Sequence, residues 1–140
     1  MFGVLLADKH VVVRDNILRM LARDPRIKVL GEASDIPEAV TKIREFRPDV
    51  LILDVDMPLA PHSFIPDLNG ELSSCGAKLL GISFANDDEA RSLATRLGAE
   101  ELLDKVNLGK ELIPAIVRIA SSAKYLPPAR AKQTDAGELQ

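Results

Sequence analysis

Residues 49–54 read Asp-Val-Leu-Ile-Leu-Asp, four aliphatic residues in a row between two carboxylates. A short, uninterrupted apolar run is typical of a strand that helices cover on both faces of a sheet. Segments of helical character separate this run from four others. That alternation predicts an α/β fold built on a parallel sheet. The five predicted strands are Phe2–Ala7, Ile27–Ala33, Asp49–Leu53, Lys78–Ser83 and Glu100–Asp104.

The distribution of charge among these runs predicts their order in the sheet. The second run contains Lys28 and Glu32, and the fifth contains Glu100, Glu101 and Asp104. Charged residues are typical of edge strands. In the order 2-1-3-4-5 the second and fifth strands lie at the edges. We therefore expect a flavodoxin-like, doubly wound sheet of five parallel strands with helices on both faces.

Several helix ends are also visible in the sequence. Asp35–Glu38 resembles a capping box with proline in the first turn, and Asn86–Glu89 opens a helix that Gly98 is expected to end. Leu59–Gly76 contains two prolines and two glycines, which predicts a shortened or distorted third helix. In the last helix, Pro114 is expected near the true start, where a missing N–H is tolerated.

Length and composition predict one domain, at residues 1–127, followed by a linker or tail at 128–140. The 140 residues are 46% hydrophobic and 28% charged, which is ordinary globular composition. A net charge of −3 argues against direct nucleic-acid binding, because no surplus of Lys and Arg is available to neutralise phosphates. Cys75 is the single cysteine, and no run has the length of a signal-peptide core or a membrane span. These features predict a cytoplasmic protein without membrane contact.

Four polar residues stand at or just after predicted strand ends: Asp8, Asp54, Ser83 and Lys105. The carboxyl ends of parallel strands form the ligand-binding edge of such a sheet, so these side chains are expected to converge. Each alone has a plain structural explanation, as a cap or a solvated charge. Together they suit phosphoryl transfer: a carboxylate attacks, the hydroxyl and ammonium stabilise the phosphoryl oxygens, and a divalent cation held by the acids offsets the negative charge.

At this point the sequence resembles the receiver domains of two-component response regulators, which have a CheY-like fold. The resemblance covers residues 2 to about 127. The segment from Arg47 to Pro58 resembles the strand that ends in the phosphorylated aspartate, with its Met-Pro turn, and Val4–His10 resembles the first strand with its acidic pair. Gly98-Ala99 followed by Lys105 matches the family as well. Two further segments, Val29–Ala33 and Lys124–Pro128, are similar to receivers linked to LuxR-type output domains.

The resemblance implies a role for each residue. Asp54 would accept the phosphoryl group from the phosphohistidine of a sensor histidine kinase, Ser83 would be the switch hydroxyl and Lys105 the phosphate-contacting cation. Asp8 would survive from the acidic pair that binds the usual cofactor, Mg²⁺. Any regulation of transcription would act through a DNA-binding output domain that this sequence lacks.

Some positions depart from the family pattern. Lys9 replaces the second acid, so its ammonium would weaken metal binding or act as a built-in counterion for Asp8 or Asp54. Asp56 adds a carboxylate that would partly restore a metal site, unless it is a solvated turn residue. Leu102 stands where many receivers have a mobile Tyr or Phe, and Val106 where Pro is common. His10 is expected to be a cap or surface residue rather than a ligand.

These departures leave alternatives open. One is a pseudo-receiver, an interaction module that keeps the fold but is not phosphorylated. Another is an enzyme, because Asp54-Val55-Asp56 also resembles the first motif of haloacid dehalogenase-like phosphatases. That family requires a further strand with paired acids after the lysine and places its nucleophile on the first strand, so we expect no enzyme. Finally, Ile116, Val117 and Ile119 give the last helix extra apolar surface, which predicts a homodimer.

Overall fold

The computed structural model of the chain describes residues 1–57, 64–85 and 87–125. The predicted linker at 128–140, the end of the predicted domain and Pro58 lie outside these residues. The described strands are β1 (Phe2–Ala7), β2 (Ile27–Ala33), β3 (Val50–Asp54), β4 (Lys78–Ser83) and β5 (Ala99–Asp104). The described helices are α1 (Val11–Ala22), α2 (Ile36–Phe46), α3 (Phe64–Cys75), α4 (Asp88–Leu97) and α5 (Leu108–Tyr125), with a 3₁₀ turn at Lys105–Asn107 before α5.

All described strands form one parallel sheet in the order β2-β1-β3-β4-β5. This confirms the predicted flavodoxin-like fold, with the two charged runs at the edges. Three strands begin and end where the sequence predicted, and the other two differ by one residue at one or both ends. The apolar run in β3 is the middle strand of the five and pairs with β1 on one side and β4 on the other.

The sheet separates two apolar cores, and β3 contributes to both because successive side chains of a strand point to opposite faces. Leu51 and Leu53 pack in the core under α2, α3 and α4. Val50 and Ile52 pack in the core under α1 and α5. All four side chains are fully buried. This two-sided burial explains why the central strand has no polar residue between its ends.

The predicted helix ends at α2 and α4 are confirmed. The carboxylate of Asp35 accepts a hydrogen bond from the N–H of Glu38 at 2.8 Å, and Glu38 in turn accepts one from the N–H of Ser34 at 2.8 Å. Asp87 accepts one from the N–H of Ala90 at 2.9 Å. Gly98 ends α4 with φ +82°, in the left-handed region that favours glycine. These short-range signals depend on neighbouring residues only, so the sequence shows them directly.

Two predictions about helices, the length of α3 and the position of Pro114 in α5, disagree with the structure. The described helix α3 has twelve residues, as many as α1, so the expected shortening is not seen, and residues 59–63 of that segment lie outside the described residues. Its Pro66 is the third helical residue, in the turn whose N–H groups have no helical partner. The expectation for Pro114 was wrong, because α5 begins at Leu108 and the proline lies inside the helix. There it removes the N–H that would otherwise bond to the carbonyl of Lys110.

The surplus apolar surface expected on α5 is also absent. Ile116 is 0% exposed and Ile119 is 5% exposed, because both pack into the chain's own core against the sheet. Val117 alone among the three is partly exposed. The homodimer predicted from these residues therefore loses its basis. Within the described residues, no helix combines the length and apolarity needed to cross a bilayer.

Candidate functional site

The polar residues predicted at the strand ends lie at one edge of the sheet. Asp8 directly follows β1, Asp54 ends β3, Ser83 ends β4, and Lys105 directly follows β5. These four are also the buried polar and charged residues of the described chain. Burial of two carboxylates and an ammonium is costly unless the charges pair. The cluster therefore differs from a solvated set of caps and surface charges.

Lys105 is the cation that joins the two carboxylates. Its Nζ lies 2.8 Å from Oδ2 of Asp8 and 3.2 Å from Oδ2 of Asp54. Its side chain is only 1% exposed. The turn that follows β5 helps to set this position, since the Asp104 carboxylate accepts a hydrogen bond from the N–H of Val106 at 2.9 Å. One ammonium thus faces two carboxylates, which leaves this buried trio with one excess negative charge.

The two carboxyl groups respond oppositely to this environment. Burial acts to raise the pKa of Asp8, but the Lys105 side chain and the backbone N–H of His10 outweigh it and hold the pKa below the ordinary value of 3.8. Burial raises the pKa of Asp54, and the negative charge of Asp8 raises it further. The N–H of Asp56 and the ammonium of Lys105 offset only part of that rise. Asp54 is therefore the group that most needs a further proton or cation.

His10 belongs to this cluster, although it was expected to be a cap or surface residue. Its Nδ1 lies 3.2 Å from Oδ1 of Asp8 and 3.9 Å from Oδ2 of Asp54. Its backbone N–H donates to the same Asp8 oxygen at 2.9 Å. The residue does precede α1 as predicted, but its side chain does not cap the helix. The side chain is half exposed, so the ring stands at the mouth of the site. The two-residue spacing after Asp8 is the sequence signal that could have revealed it.

Lys9 does not take the position that the sequence suggested. It is exposed, and no ion pair of the described residues joins it to Asp8 or Asp54. The prediction of a built-in counterion at Lys9 is therefore wrong, and Lys105 has that role. The physical reason is local direction: Asp8 points into the sheet edge, and the next side chain along the chain points to solvent.

Asp56 contacts the switch hydroxyl predicted at Ser83. The Ser83 Oγ lies 2.9 Å from Asp56 Oδ2 and 2.8 Å from the carbonyl oxygen of Ala85, and it accepts a hydrogen bond from the N–H of Ala85 at 2.9 Å. The N–H of Phe84 also approaches Asp56 Oδ2, at 3.3 Å. The Asp56 carboxylate thus lies on the Ser83 side of the site. Its role as a metal ligand stays a prediction.

Phe84 covers the ammonium from the solvent side. Its ring centroid lies 4.9 Å from Nζ of Lys105, within the range of a cation–π contact, and the residue is 57% exposed. Leu102 is partly buried against the core under α2, α3 and α4. Val106 is exposed in the turn after β5.

A divalent cation fits the donor atoms that meet here. Asp8, His10 and Asp54 each offer one ligand atom, and these atoms lie within 4.8 Å of one another. Two carboxylate oxygens and an imidazole nitrogen are all common metal ligands. The excess negative charge beside Lys105 favours a bound cation at the same place.

Comparison with known proteins agrees with this geometry. The family model described as "Response regulator receiver domain" matches residues 4–117. The chain is 30% identical over 123 residues to the oxygen regulatory protein NreC of Staphylococcus epidermidis, covering 88% of this chain and 56% of NreC. It is 31% identical over 134 residues to the DNA-binding transcriptional activator DevR/DosR of Mycobacterium tuberculosis, covering 90% of this chain and 58% of that protein. The chain thus spans little more than half the length of these relatives.

Solved structures show the same similarity. The signal receiver domain of the response regulator NarL from Mycobacterium tuberculosis superposes with a TM-score of 0.74 at 26% identity, over 86% of this chain and 96% of that one. A LuxR-family two-component response regulator from Aurantimonas superposes with a TM-score of 0.75 at 27% identity, over 94% and 93%. The match of sequence model, fold and buried strand-end cluster leads to one conclusion: this chain belongs to the response regulator receiver domain family.

Proposed function

We propose that Asp54 accepts a phosphoryl group from a phosphohistidine of a sensor histidine kinase and that the modified domain changes its protein contacts. The observation that carries this proposal is the buried Asp54 carboxylate at the end of β3, 3.2 Å from the Lys105 ammonium. An oxygen of Asp54 attacks phosphorus, the bond between phosphorus and the donor nitrogen breaks, and the electron pair leaves with the imidazole of the donor. The product is an aspartyl phosphate beside Lys105.

The neighbouring residues contribute charge and hydrogen bonds. Asp54 must be ionised to attack, and its raised pKa means that cations have to stabilise that form. Lys105 supplies one positive charge, and a divalent cation at Asp8 would neutralise charge on the incoming phosphoryl group. The Ser83 hydroxyl has to leave Asp56 and the Ala85 carbonyl before it donates to a phosphoryl oxygen. This exchange of hydrogen bonds links Asp54 to the loop between β4 and α4.

The consequence for the cell is proposed from the relatives. Because this chain covers 58% of a protein named as a DNA-binding transcriptional activator, we propose that it works in the cytoplasm and regulates transcription through an output domain outside these residues. It would not bind nucleic acid itself, given its net charge of −3. We propose no enzymatic turnover beyond its own phosphorylation. A homodimer stays a prediction that α5 does not support.

Incubation with acetyl phosphate and Mg²⁺, followed by intact mass measurement, tests the proposal. The wild type should gain the mass of one phosphoryl group, and Asp54→Asn should gain none. Asp15→Asn removes an exposed carboxylate from α1 and should react like the wild type, so it is the matched control. An unmodified wild type would support the pseudo-receiver, which Lys9 in place of an acid favours. Sustained release of phosphate would support the phosphatase instead.

A further inference from the structure

The two buried carboxylates of the site have an imidazole nitrogen beside them. The family's acidic pair is reduced to Asp8, because Lys9 follows it and is exposed. Nδ1 of His10 instead stands 3.2 Å from Asp8 and 3.9 Å from Asp54. Among the described residues, these three form the group whose ligand atoms lie within 4.8 Å of one another. An imidazole nitrogen therefore lies beside both remaining carboxylates.

Two buried oxygen atoms of the site share a single cation. Oδ2 of Asp8 and Oδ2 of Asp54 are inaccessible to solvent and receive no regular hydrogen bond from a described residue. Their contact is with the Lys105 ammonium, which both share. One positive charge cannot neutralise two carboxylates, so a further cation would stabilise this buried pair.

The local backbone holds His10 near these oxygens before any ion binds. Its N–H donates to Oδ1 of Asp8 at 2.9 Å across a two-residue spacing, and α1 begins at the next residue. The ring is half exposed and can adjust. Nδ1 can donate a hydrogen bond to Oδ1 of Asp8 at 3.2 Å, and in the tautomer with the proton on Nε2 it offers its lone pair to a metal ion instead.

We propose that Asp8, His10 and Asp54 bind a divalent ion together and that His10 changes the selectivity of the site from Mg²⁺ toward transition-metal ions. Mg²⁺ strongly prefers oxygen ligands in octahedral geometry, whereas imidazole suits Co²⁺, Ni²⁺ and Zn²⁺. This inference deepens the proposed function, since it concerns the cation of the same site, but it does not depend on phosphorylation of Asp54.

Direct titration with Co²⁺ and with Mg²⁺ by calorimetry tests the inference without any activity measurement. His10→Leu removes the nitrogen ligand and should lower Co²⁺ affinity by about tenfold or more, with a much smaller effect on Mg²⁺. Lys9→Gln is the matched control, because it changes one neighbouring exposed charge that affects both ions alike. The ratio of the two affinities should therefore fall in His10→Leu and stay constant in Lys9→Gln.

The possible results separate the two proposals. An unchanged ratio in His10→Leu, or a wild type that does not bind Co²⁺, would overturn the role of His10. Binding of Co²⁺ through His10 by a protein that acetyl phosphate does not modify would support the metal site and overturn the phosphoacceptor function. Circular dichroism of each variant shows whether the fold is retained, and a comparison of ratios is insensitive to a small loss of folded protein.

Discussion

Replacement of Lys105 by methionine is the sharpest perturbation of the buried cluster. Methionine preserves most of the volume and the apolar stem, so the change removes mainly the charge. The ammonium contacts two carboxylates at 2.8 and 3.2 Å, and its side chain is 1% exposed. Exposed ion pairs contribute about 0–1 kcal/mol, but removal of one partner of a buried pair costs about 3–5 kcal/mol because the remaining charge is left unpaired. We expect Lys105→Met to lose about 3–5 kcal/mol of unfolding free energy at neutral pH, a large share of a typical domain's stability.

The loss should depend on pH in a defined direction. Without the ammonium, the pKa of Asp8 is expected to rise above 3.8 and that of Asp54, which is already raised, to rise further. The folded variant then binds more protons than the unfolded chain above that pH. Stability then decreases as pH rises through this range. The difference from wild type should therefore be largest near neutral pH and should shrink toward about pH 4, where the carboxyl groups become protonated.

Urea unfolding followed by far-ultraviolet circular dichroism, in the presence of EDTA, measures both effects. Lys110→Met is the matched control, because Lys110 is exposed on α5 and its loss should change stability by less than about 0.5 kcal/mol. The double variant Lys105→Met, Asp54→Asn should recover part of the loss, since one unpaired charge is removed. A loss below about 1 kcal/mol, or one that is equal at neutral and acidic pH, would refute the reasoning about buried charge.

Three further predictions follow from single contacts. Asp56→Ala should release Ser83 from a hydrogen bond to a charged acceptor, which is worth about 1.5–3 kcal/mol. The variant should bind the phosphoryl analogue beryllofluoride about tenfold or more tightly than the wild type; unchanged affinity in a titration would contradict the exchange of the Ser83 hydrogen bond. Asp54→Asn should be more stable than wild type near neutral pH and lose that advantage toward pH 4, because the raised pKa of Asp54 means that wild-type stability falls as pH rises from about 3.8; urea unfolding across this range checks the sign. Gly98→Ala should lower the free energy of unfolding by about 1 kcal/mol because φ is +82°. Gly109→Ala in α5 is the control, because the space around it is equally open, and it should be neutral or stabilising. Equal urea midpoints for the two variants would show that backbone conformation is not the cause.

The sequence by itself determined the fold of this protein and which polar residues stand at the carboxyl ends of its strands. The run at Val50–Leu53 suits a strand buried on both faces, and the charged runs suit the edges, in agreement with the doubly wound order 2-1-3-4-5. Caps such as Asp35 and Gly98 act through hydrogen bonds and dihedral angles within a few residues. Asp8, Asp54 and Lys105 follow from the strand ends, because parallel strands bring their carboxyl ends to one edge.

Only the tertiary structure decided which way each side chain points once a strand has ended. The periodicity of strands and helices stops there, so no strand or helix pattern shows that Lys9 faces solvent while His10 turns toward the carboxylates, and the two-residue spacing after Asp8 is the one hint. The hydrogen bond between Asp56 and Ser83 joins residues 27 positions apart, a contact that depends on the paths of two loops. In the same way, the sequence left open whether Ile116 packs in the chain's own core or in a dimer interface. The structure shows it buried in the core between α5 and the sheet. Long-range packing, which no local pattern encodes, determined the last two.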